Sequence, residues 1–344
     1  MNKFTVVRTL DPKRWDEFVC RHPKGSIFHT RWMMEVYRGT VNYAPSFLAA
    51  LDPAGEVAAL LLSARVQTLP DPLGRLGSRA LFYAEPLCRE DEVGQQALTV
   101  LLREHEAEMR DKTLFAEVRP LHAAGVERTV LERCGYQFEE YLNFLIDLTK
   151  PRDELWRAMT NSCRANIRRG LKRGVAIADE TTEQGVEILY DLLRASYARA
   201  QVPLADKSLF RCGLEVLGPR DMLRVFIARL DDKPIGASVV LLFKQRVYEW
   251  YWGVQRMVSV YPAEVVTWHR IEWGQQHGYV LYDFGGAGSP YKPYGVRDFK
   301  RKFGGERVNF GRYRKIYSPW RMALAEKGYD IARNLVNPKN WVRH

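Results

Sequence analysis

The chain has 344 residues, of which 46% are hydrophobic and 27% are charged, a composition that is typical of a globular protein and excludes an intrinsically disordered one. Its 52 Lys and Arg residues exceed its 41 Asp and Glu residues, and the net charge of +11 favours a polyanionic partner: nucleic acid, a phosphorylated substrate or an anionic membrane surface. The length suits two domains of ordinary size, and no apolar run is long enough to span a membrane.

The cysteines and the N-terminus indicate a reducing compartment. The five cysteines are far apart and odd in number, and they include no Cys-x-x-Cys pair, which argues against a disulfide framework and against a zinc site. The N-terminal residues lack the apolar run of a signal peptide. We therefore predict a soluble, cytoplasmic protein without a metal centre, and a peripheral position at the inner face of the membrane stays open.

The first part of the chain alternates strands and helices. In order, the predicted elements are a strand over 4–8, helices over 11–20 and 31–38, strands over 46–51 and 56–66, a helix over 95–109, and strands over 113–118 and 141–148. This alternation predicts an α/β unit.

A second unit is predicted from residue 149 onward. Its elements are a helix over 154–158, a basic helical segment between 161 and 174, a strand over 175–178, a helix over 183–200, strands over 223–230, 235–243 and 246–252, a long helix over 263–277 and a strand over 279–282. Both parts thus show the same coarse order of elements.

The basic helical segment is the densest cluster of positive charge. Arg164, Arg168 and Lys172 recur every four residues and therefore share one helix face. No acidic residue lies between Asn161 and Gly174, so the like charges repel one another unless an anion offsets them. From these residues alone, a solvated helix face and an anion-binding face both remain open.

The stretch from Tyr279 to Tyr313 carries the most specific motifs. Residues 283–286 read Asp-Phe-Gly-Gly after a short strand, and paired glycines allow a positive φ or a close approach to a ligand. Residues 299–305 read Phe-Lys-Arg-Lys-Phe-Gly-Gly, which places cations beside two aromatic rings. The combination of the two motifs is more informative than either one.

Lys300 is a candidate for a role in acyl transfer, and the sequence contains none of the usual nucleophile motifs. Acyl transfer to an amine needs no enzyme nucleophile, because a deprotonated amine attacks an activated ester directly. A lysine ammonium would stabilise the oxyanion of the tetrahedral intermediate, and it could also contact a tRNA phosphate. Phe299 beside it could stack on a terminal adenine. The alternative is an exposed cation on a hairpin.

The order of these elements and motifs resembles the C-terminal half of the FemAB family, bacterial transferases that move an amino acid from aminoacyl-tRNA onto a peptidoglycan precursor. The resemblance covers most of the chain and is strongest from Asn143 to Tyr313. It implies an α/β fold of two tandem GNAT-like domains with a cleft between them. Domain 1 would span 1–148 and domain 2 would span 149–313, with the segment 314–344 packing back on domain 1.

The resemblance also implies site residues. Those near the reacting ester are Lys300 and Phe299. Those that hold the substrate are Asp283, Gly285 and Gly286 of the glycine turn, together with Arg199, Tyr251 and Arg38. Arg38 follows by one residue the position at which enzymes acting on nucleotide-linked precursors carry a lysine. The residues expected to meet tRNA or another anion are Arg164, Arg168, Lys172, Arg301 and Lys302.

These observations predict an acyltransferase that moves an amino acid from aminoacyl-tRNA to an amine of a nucleotide- or lipid-linked cell-wall precursor, without a cofactor. The first alternative is an N-acyltransferase that uses acyl-CoA on an amino sugar or envelope polysaccharide, although the GNAT coenzyme-A loop is not found in its usual form. The second is a non-catalytic RNA-binding module. The C-terminal residues Trp320, Leu324, Ile331 and Leu335 have helical spacing and either pack on the body or touch a membrane surface or RNA.

Overall fold

The computed structural model describes residues 4–69, 73–257, 259–325 and 327. Its strands are β1 Thr5–Val7, β2 Tyr43–Leu51, β3 Val57–Gln67, β4 Ser78–Phe82, β5 Leu87–Cys88, β6 Phe115–Val118, β7 Gln137–Glu139, β8 Leu142–Asp147, β9 Ala176–Asp179, β10 Leu223–Leu230, β11 Lys233–Phe243, β12 Arg246–Val254, β13 Leu281–Gly286, β14 Glu306–Asn309 and β15 Arg312–Ile316. Its α-helices are α1 Pro12–Arg21, α2 Arg31–Gly39, α3 Glu92–Met109, α4 Val126–Arg133, α5 Arg152–Ala158, α6 Asn161–Lys172, α7 Glu183–Ala200, α8 Ser208–Leu217, α9 Pro262–Gln276 and α10 Gly295–Arg301.

The chain divides into two compact units, each built on one mixed sheet. The first unit comprises residues 1–14, 42–139 and 312–344, and the second comprises 15–41 and 140–311. This division differs from the boundary predicted at residue 148. Strand β8 belongs to the second sheet because it pairs with β13 and β14. Helix α2 belongs to the second unit because it packs on α8, and the Val41 amide after it donates to Ser208 Oγ at 2.8 Å.

The first unit is completed by a strand from the far end of the chain. Its sheet has the order β1-β2-β3-β4-β6-β15-β7, with β5 paired to β3, and only β4 and β6 run parallel. One face is covered by α3 and α4, whose apolar residues join a core with the strands; members include Leu48, Phe82, Leu98, Leu101 and Val118. Strand β15 brings residues 312–316 into this sheet.

The second unit positions the candidate site. Its sheet has the order β14-β8-β13-β12-β11-β10-β9, and β12 with β13 is its one parallel pair. Helices α5, α6 and α9 bury their apolar residues against one face, with Phe226, Val240, Leu242 and Phe284 from the sheet. Helix α7 packs on β10, β11 and β12 from the other face, where the alternate residues of each strand point.

The C-terminal segment is described only as far as residue 327. Residues 319–325 are helical, and Trp320 and Leu324 are exposed there. Ile331 and Leu335 lie outside the described residues, so the predicted packing of this segment stays a prediction beyond β15. In the described ranges, no helix has both the length and the apolar character needed to cross a bilayer.

Candidate functional site

The two parallel strands of the second unit separate and leave a pocket between them. Their pairing begins at Arg246 with Leu281 and ends at Tyr248 with Asp283, whereas β12 stays paired with β11 as far as Val254. The residues that follow on the two strands, 249–252 and 284–286, line a pocket of about 360 Å³. This volume is in the range of small-molecule sites.

Aromatic side chains form most of the pocket wall: Tyr197, Trp250, Tyr251, Trp252, Phe284 and Tyr294. The predicted substrate residue Tyr251 is therefore part of this wall, where its ring meets that of Phe210 edge-on at 4.9 Å. Burial, followed by the charge of Glu249, raises the pKa of Tyr197 to about 12. The Tyr197 phenol is thus neutral at physiological pH.

Lys300 lines the pocket from the last turn of α10 and is buried, so it is not an exposed cation on a hairpin. Its Nζ donates to the carbonyl oxygens of Phe284, of Gly286 at 3.1 Å and of Gly285 at 3.3 Å. Every one of these neighbours is an acceptor, which suits the ammonium form with its full set of N–H donors. Burial lowers the pKa of Lys300, and the negative charges of Glu249 and Asp283 oppose that shift.

Glu249 connects Lys300 to a second buried cation. Its Oε1 lies 3.5 Å from Lys300 Nζ, and its Oε2 lies 3.0 Å from Arg270 Nη2. The Tyr282 hydroxyl donates to the same Oε2 at 3.1 Å. Arg270 is wholly buried, and its Nη2 also donates to Thr267 Oγ1 at 2.8 Å. A carboxylate between two cations is the arrangement that offsets the cost of burying all three charges.

Asp283 supports the glycine turn from beneath. Its Oδ1 accepts hydrogen bonds from Asn143 Nδ2 at 2.8 Å and from the Gly285 amide at 2.7 Å. Gly285 has φ +65°, and a Cβ on Gly286 would lie 2.5 Å from the Tyr141 ring, so the turn requires both glycines. Burial raises the pKa of Asp283, while the bond from Asn143 acts in the opposite direction. Asp283 therefore shapes the turn whose carbonyl groups bind Lys300.

The residues next to Lys300 do not line the pocket. Phe299 stacks on Trp252 with ring centroids 5.4 Å apart and so supports the pocket wall from behind. Arg301 is exposed and pairs with Asp298 at 3.3 Å. Lys302 Nζ lies 3.7 Å from Glu264 Oε1 and 5.7 Å from the centre of the Phe299 ring. Phe299 is thereby joined to a residue that lines the pocket.

The two arginines that were predicted to bind the substrate lie at different distances from the pocket. Arg199 donates to the carbonyl oxygen of Val254, and to Ser196 Oγ at 3.0 Å. Because Ser196 lines the pocket, Arg199 lies just outside its rim. Arg38 is an exposed residue near the end of α2, pairs with Glu35 and is not part of the lining. The structure therefore does not bring Arg38 together with Lys300.

The basic helix α6 forms as predicted, but its arginines have different roles. Arg164 donates to the carbonyl oxygens of Arg157 at 2.7 Å and Met159 at 2.9 Å, and thereby caps the end of α5. The exposed basic residues are Arg168, Arg169, Lys172 and Arg173, which we call the α6 surface. Arg168 lies over the Trp156 ring at 5.4 Å, and no ion pair joins these four cations to a described residue.

Sequence reasoning missed Glu249 and Arg270. Glu249 is one acidic residue in an aromatic strand, and Arg270 is one basic residue in a long helix, so each has the pattern of a solvated side chain. The available signal was the apolar neighbourhood of Arg270, which lies among the buried residues Val266, Trp268 and Ile271. In the described part of the chain, no group of three or more His, Cys, Asp or Glu residues could hold a metal ion.

A family model described as an acetyltransferase (GNAT) domain matches residues 158–293. The UDP-N-acetylmuramoylpentapeptide-lysine N(6)-alanyltransferase of Weissella viridescens is 22% identical to this chain over 216 residues. That alignment covers 59% of this chain and 61% of the relative, so the chain spans about three fifths of the length of that enzyme.

Two solved structures share the fold along nearly the whole chain. The crystal structure of FemX matches with a TM-score of 0.69 and 15% identity, covering 91% of this chain and 97% of that one. A tandem GNAT protein from the clavulanic acid biosynthesis pathway matches with a TM-score of 0.58 and 13% identity, covering 92% and 98%. The predicted fold class is thereby confirmed: the chain has the GNAT fold. Its similarity to FemX and to the Weissella viridescens enzyme agrees with the predicted resemblance to the FemAB family.

Proposed function

We propose that this chain is an aminoacyltransferase that moves an amino acid from aminoacyl-tRNA to an amine of a peptidoglycan precursor. The observation that carries the proposal is the buried Lys300 ammonium in an aromatic pocket at the point where two parallel strands separate. The name of the Weissella viridescens relative, an alanyltransferase that acts on a lysine of a cell-wall precursor, supports the choice of acceptor.

The chemistry is a direct attack of the acceptor amine on the ester. The amine nitrogen bonds to the ester carbonyl carbon, and the bond from that carbon to the ribose oxygen of tRNA then breaks. The amine loses a proton, and the ribose oxygen gains one. Lys300 would stabilise the negative charge that develops on the carbonyl oxygen in between. This role requires one N–H of its ammonium to turn from a turn carbonyl towards the substrate.

The described residues that line the pocket include no activated nucleophile for a covalent intermediate. Ser196 lines it, but its hydroxyl donates to the Val254 carbonyl at 3.1 Å and accepts from the Val254 amide at 2.9 Å. These bonds tie α7 to the end of β12, so the hydroxyl has a structural partner on either side. They support a mechanism in which the two substrates react with each other.

Two features favour tRNA over acyl-CoA as donor. The α6 surface presents four cations that have no acidic partner among the described residues. Such cations are what a phosphate backbone binds. The N-terminus of α9 carries Glu264, which is buried, accepts from Asn166 Nδ2 at 3.2 Å and is paired with Lys302. A pyrophosphate bound at that helix end would meet a carboxylate, which opposes binding there.

The proposal is tested by supplying the protein with a mixed pool of labelled, charged tRNAs and with both nucleotide-linked and lipid-linked precursors. Labelled acetyl-CoA is run in parallel, and free labelled amino acid with uncharged tRNA is the control. Label that reaches a precursor from charged tRNA supports the proposal and identifies the amino acid and the acceptor. Label that arrives only from acetyl-CoA, or from neither donor, contradicts it.

A further inference from the structure

Glu249 is placed where it can control Lys300. It is the first residue of β12 after the pairing with β13 ends, and its side chain turns into the gap with only 5% of its surface exposed. A carboxylate that served only solubility would face water. This one instead holds two buried cations and a buried phenol at distances of 3.0 to 3.5 Å.

The charged and titratable groups around Lys300 come from four elements. Glu249 lies on β12, Asp283 and Tyr282 on β13, Arg270 on α9, and Tyr197 on α7. Glu249 and Asp283 favour the ammonium form of Lys300, while Arg270 opposes it. Glu249 is the one carboxylate within 4 Å of Lys300 Nζ among the described residues. The phenols are neutral, because burial raises the pKa of both Tyr282 and Tyr197.

The anchoring of Glu249 is as important as its charge. Its Oε2 is held by Arg270 and by Tyr282, so the remaining oxygen, Oε1, has a fixed position facing Lys300. The turn carbonyls hold Nζ from the other direction. The ammonium is thus fixed between a backbone turn and one anchored carboxylate, and its position does not depend on the flexible lysine stem alone.

We propose that Glu249 is a positioning residue for the transfer reaction: anchored by Arg270 and Tyr282, it keeps Lys300 protonated and fixes its Nζ beside the pocket. The part of this inference that concerns the reaction rests on the proposed function. The part that concerns the charge state of Lys300 does not, and it is tested without any substrate.

The direct test is the titration of Lys300 followed by NMR in protein labelled with 15N at the lysine side chains, with Lys300→Met identifying the signal. In Glu249→Gln the ammonium loses its nearest negative charge while Arg270 remains, so Lys300 deprotonates at a lower pH than in the wild type. Glu264→Gln is the matched control, because it removes a buried carboxylate that pairs with Lys302 instead, and it leaves the Lys300 signal unmoved.

A double variant keeps the test valid when the single one is unstable. Glu249→Gln leaves two buried cations without a carboxylate, whereas Glu249→Gln with Arg270→Met removes one charge of each sign. The pH at which Lys300 deprotonates should then be highest in the wild type, intermediate in the double variant and lowest in the single variant. The same pH in all three proteins would overturn the inference.

The kinetic test separates this inference from the proposed function. In Glu249→Gln we expect kcat to fall about 100-fold with a much smaller change in KM, because a misplaced ammonium costs transition-state stabilisation. The alkaline limb of the kcat profile should move to lower pH, and Glu249→Asp should recover part of the rate. A full rate with an unmoved limb overturns the inference. A shifted Lys300 titration without any aminoacyl transfer in the wild type overturns the proposed function alone.

Discussion

Lys300 donates hydrogen bonds to backbone carbonyl groups of the protein itself, so its removal should have two effects. In Lys300→Ala the carbonyls of the glycine turn lose their donor, so we expect the free energy of unfolding to fall by about 1–3 kcal/mol. Loss of the ammonium should lower kcat by roughly 100- to 1,000-fold. Thermal unfolding and the labelled-tRNA assay measure the two effects. Lys233→Ala, at the exposed first residue of β11, is the control, and an unchanged turnover in Lys300→Ala would refute the site.

Asp283 should be replaceable by its neutral isostere. Asp283→Asn keeps the acceptor for Asn143 and for the Gly285 amide, so at neutral pH it should cost less than about 1 kcal/mol, whereas Asp283→Ala should cost about 2–3 kcal/mol. Burial raises the pKa of Asp283 above its ordinary value of 3.8. The folded wild type therefore holds this proton more tightly than the unfolded chain, and it loses stability as pH rises through 3.8 towards the folded value.

The Asn variant has no such proton to lose. Its free energy of unfolding relative to the wild type should therefore become more favourable between acid and neutral pH, which chemical denaturation at a series of pH values would measure. A relative stability that moves in the opposite direction would show that folding lowers the pKa of Asp283 instead of raising it.

At the scale of elements, the turn after α10 fixes where that helix ends. Gly304 has φ +78°, and a Cβ there would lie 2.4 Å from the Ala158 carbonyl oxygen at the end of α5. Gly278 after α9 has φ +76° but no atom within 4 Å of such a Cβ. We expect Gly278→Ala to cost about 1 kcal/mol for backbone strain, and Gly304→Ala to cost about 3 kcal/mol or more.

Urea unfolding of the two alanine variants measures this difference. Because α10 carries Lys300, Gly304→Ala should also lower kcat, while Gly278→Ala should not. Equal costs for the two substitutions would mean that the turn shifts freely, and that the position of α10 is set by something other than the close approach of Gly304 to α5.

The same scale shows which features were predictable. Helix α9, helix α6 and the meander of β10, β11 and β12 were predicted close to their observed bounds, because apolar periodicity and turn residues act over short distances. The burial of Lys300, its pairing with Glu249 and the membership of β8 in the second sheet depend on residues far apart in sequence. A local sequence pattern contains no information on such long-range pairing. The motif therefore identified Lys300, whereas its partners could not be predicted.

At the scale of the whole molecule, the surplus of positive charge predicts a strong dependence of tRNA binding on salt. Binding of charged tRNA should weaken steeply with ionic strength because phosphate contacts release counterions, while binding of acyl-CoA, with few phosphates, should weaken far less. In the variant Arg169→Gln, Lys172→Gln, Arg173→Gln, the slope of log K against log salt should fall by about 2–3.

Fluorescence titrations at several salt concentrations measure that slope. Arg128→Gln is the control, since Arg128 already pairs with Glu132 at 2.9 Å in the first unit. A slope that the α6 surface variant leaves unchanged would mean that tRNA, if it binds, contacts another surface.

The position of β15 has a consequence for synthesis of the chain. Among the described strands, β7 pairs with β15 alone, and β15 separates it from β6. Every strand of the second sheet precedes residue 312, so on the ribosome that sheet is complete while the first still lacks its link between β6 and β7. The unit that begins first is therefore finished last, and until then the growing chain carries an open sheet edge at β6 that a chaperone or a neighbouring nascent chain could pair with.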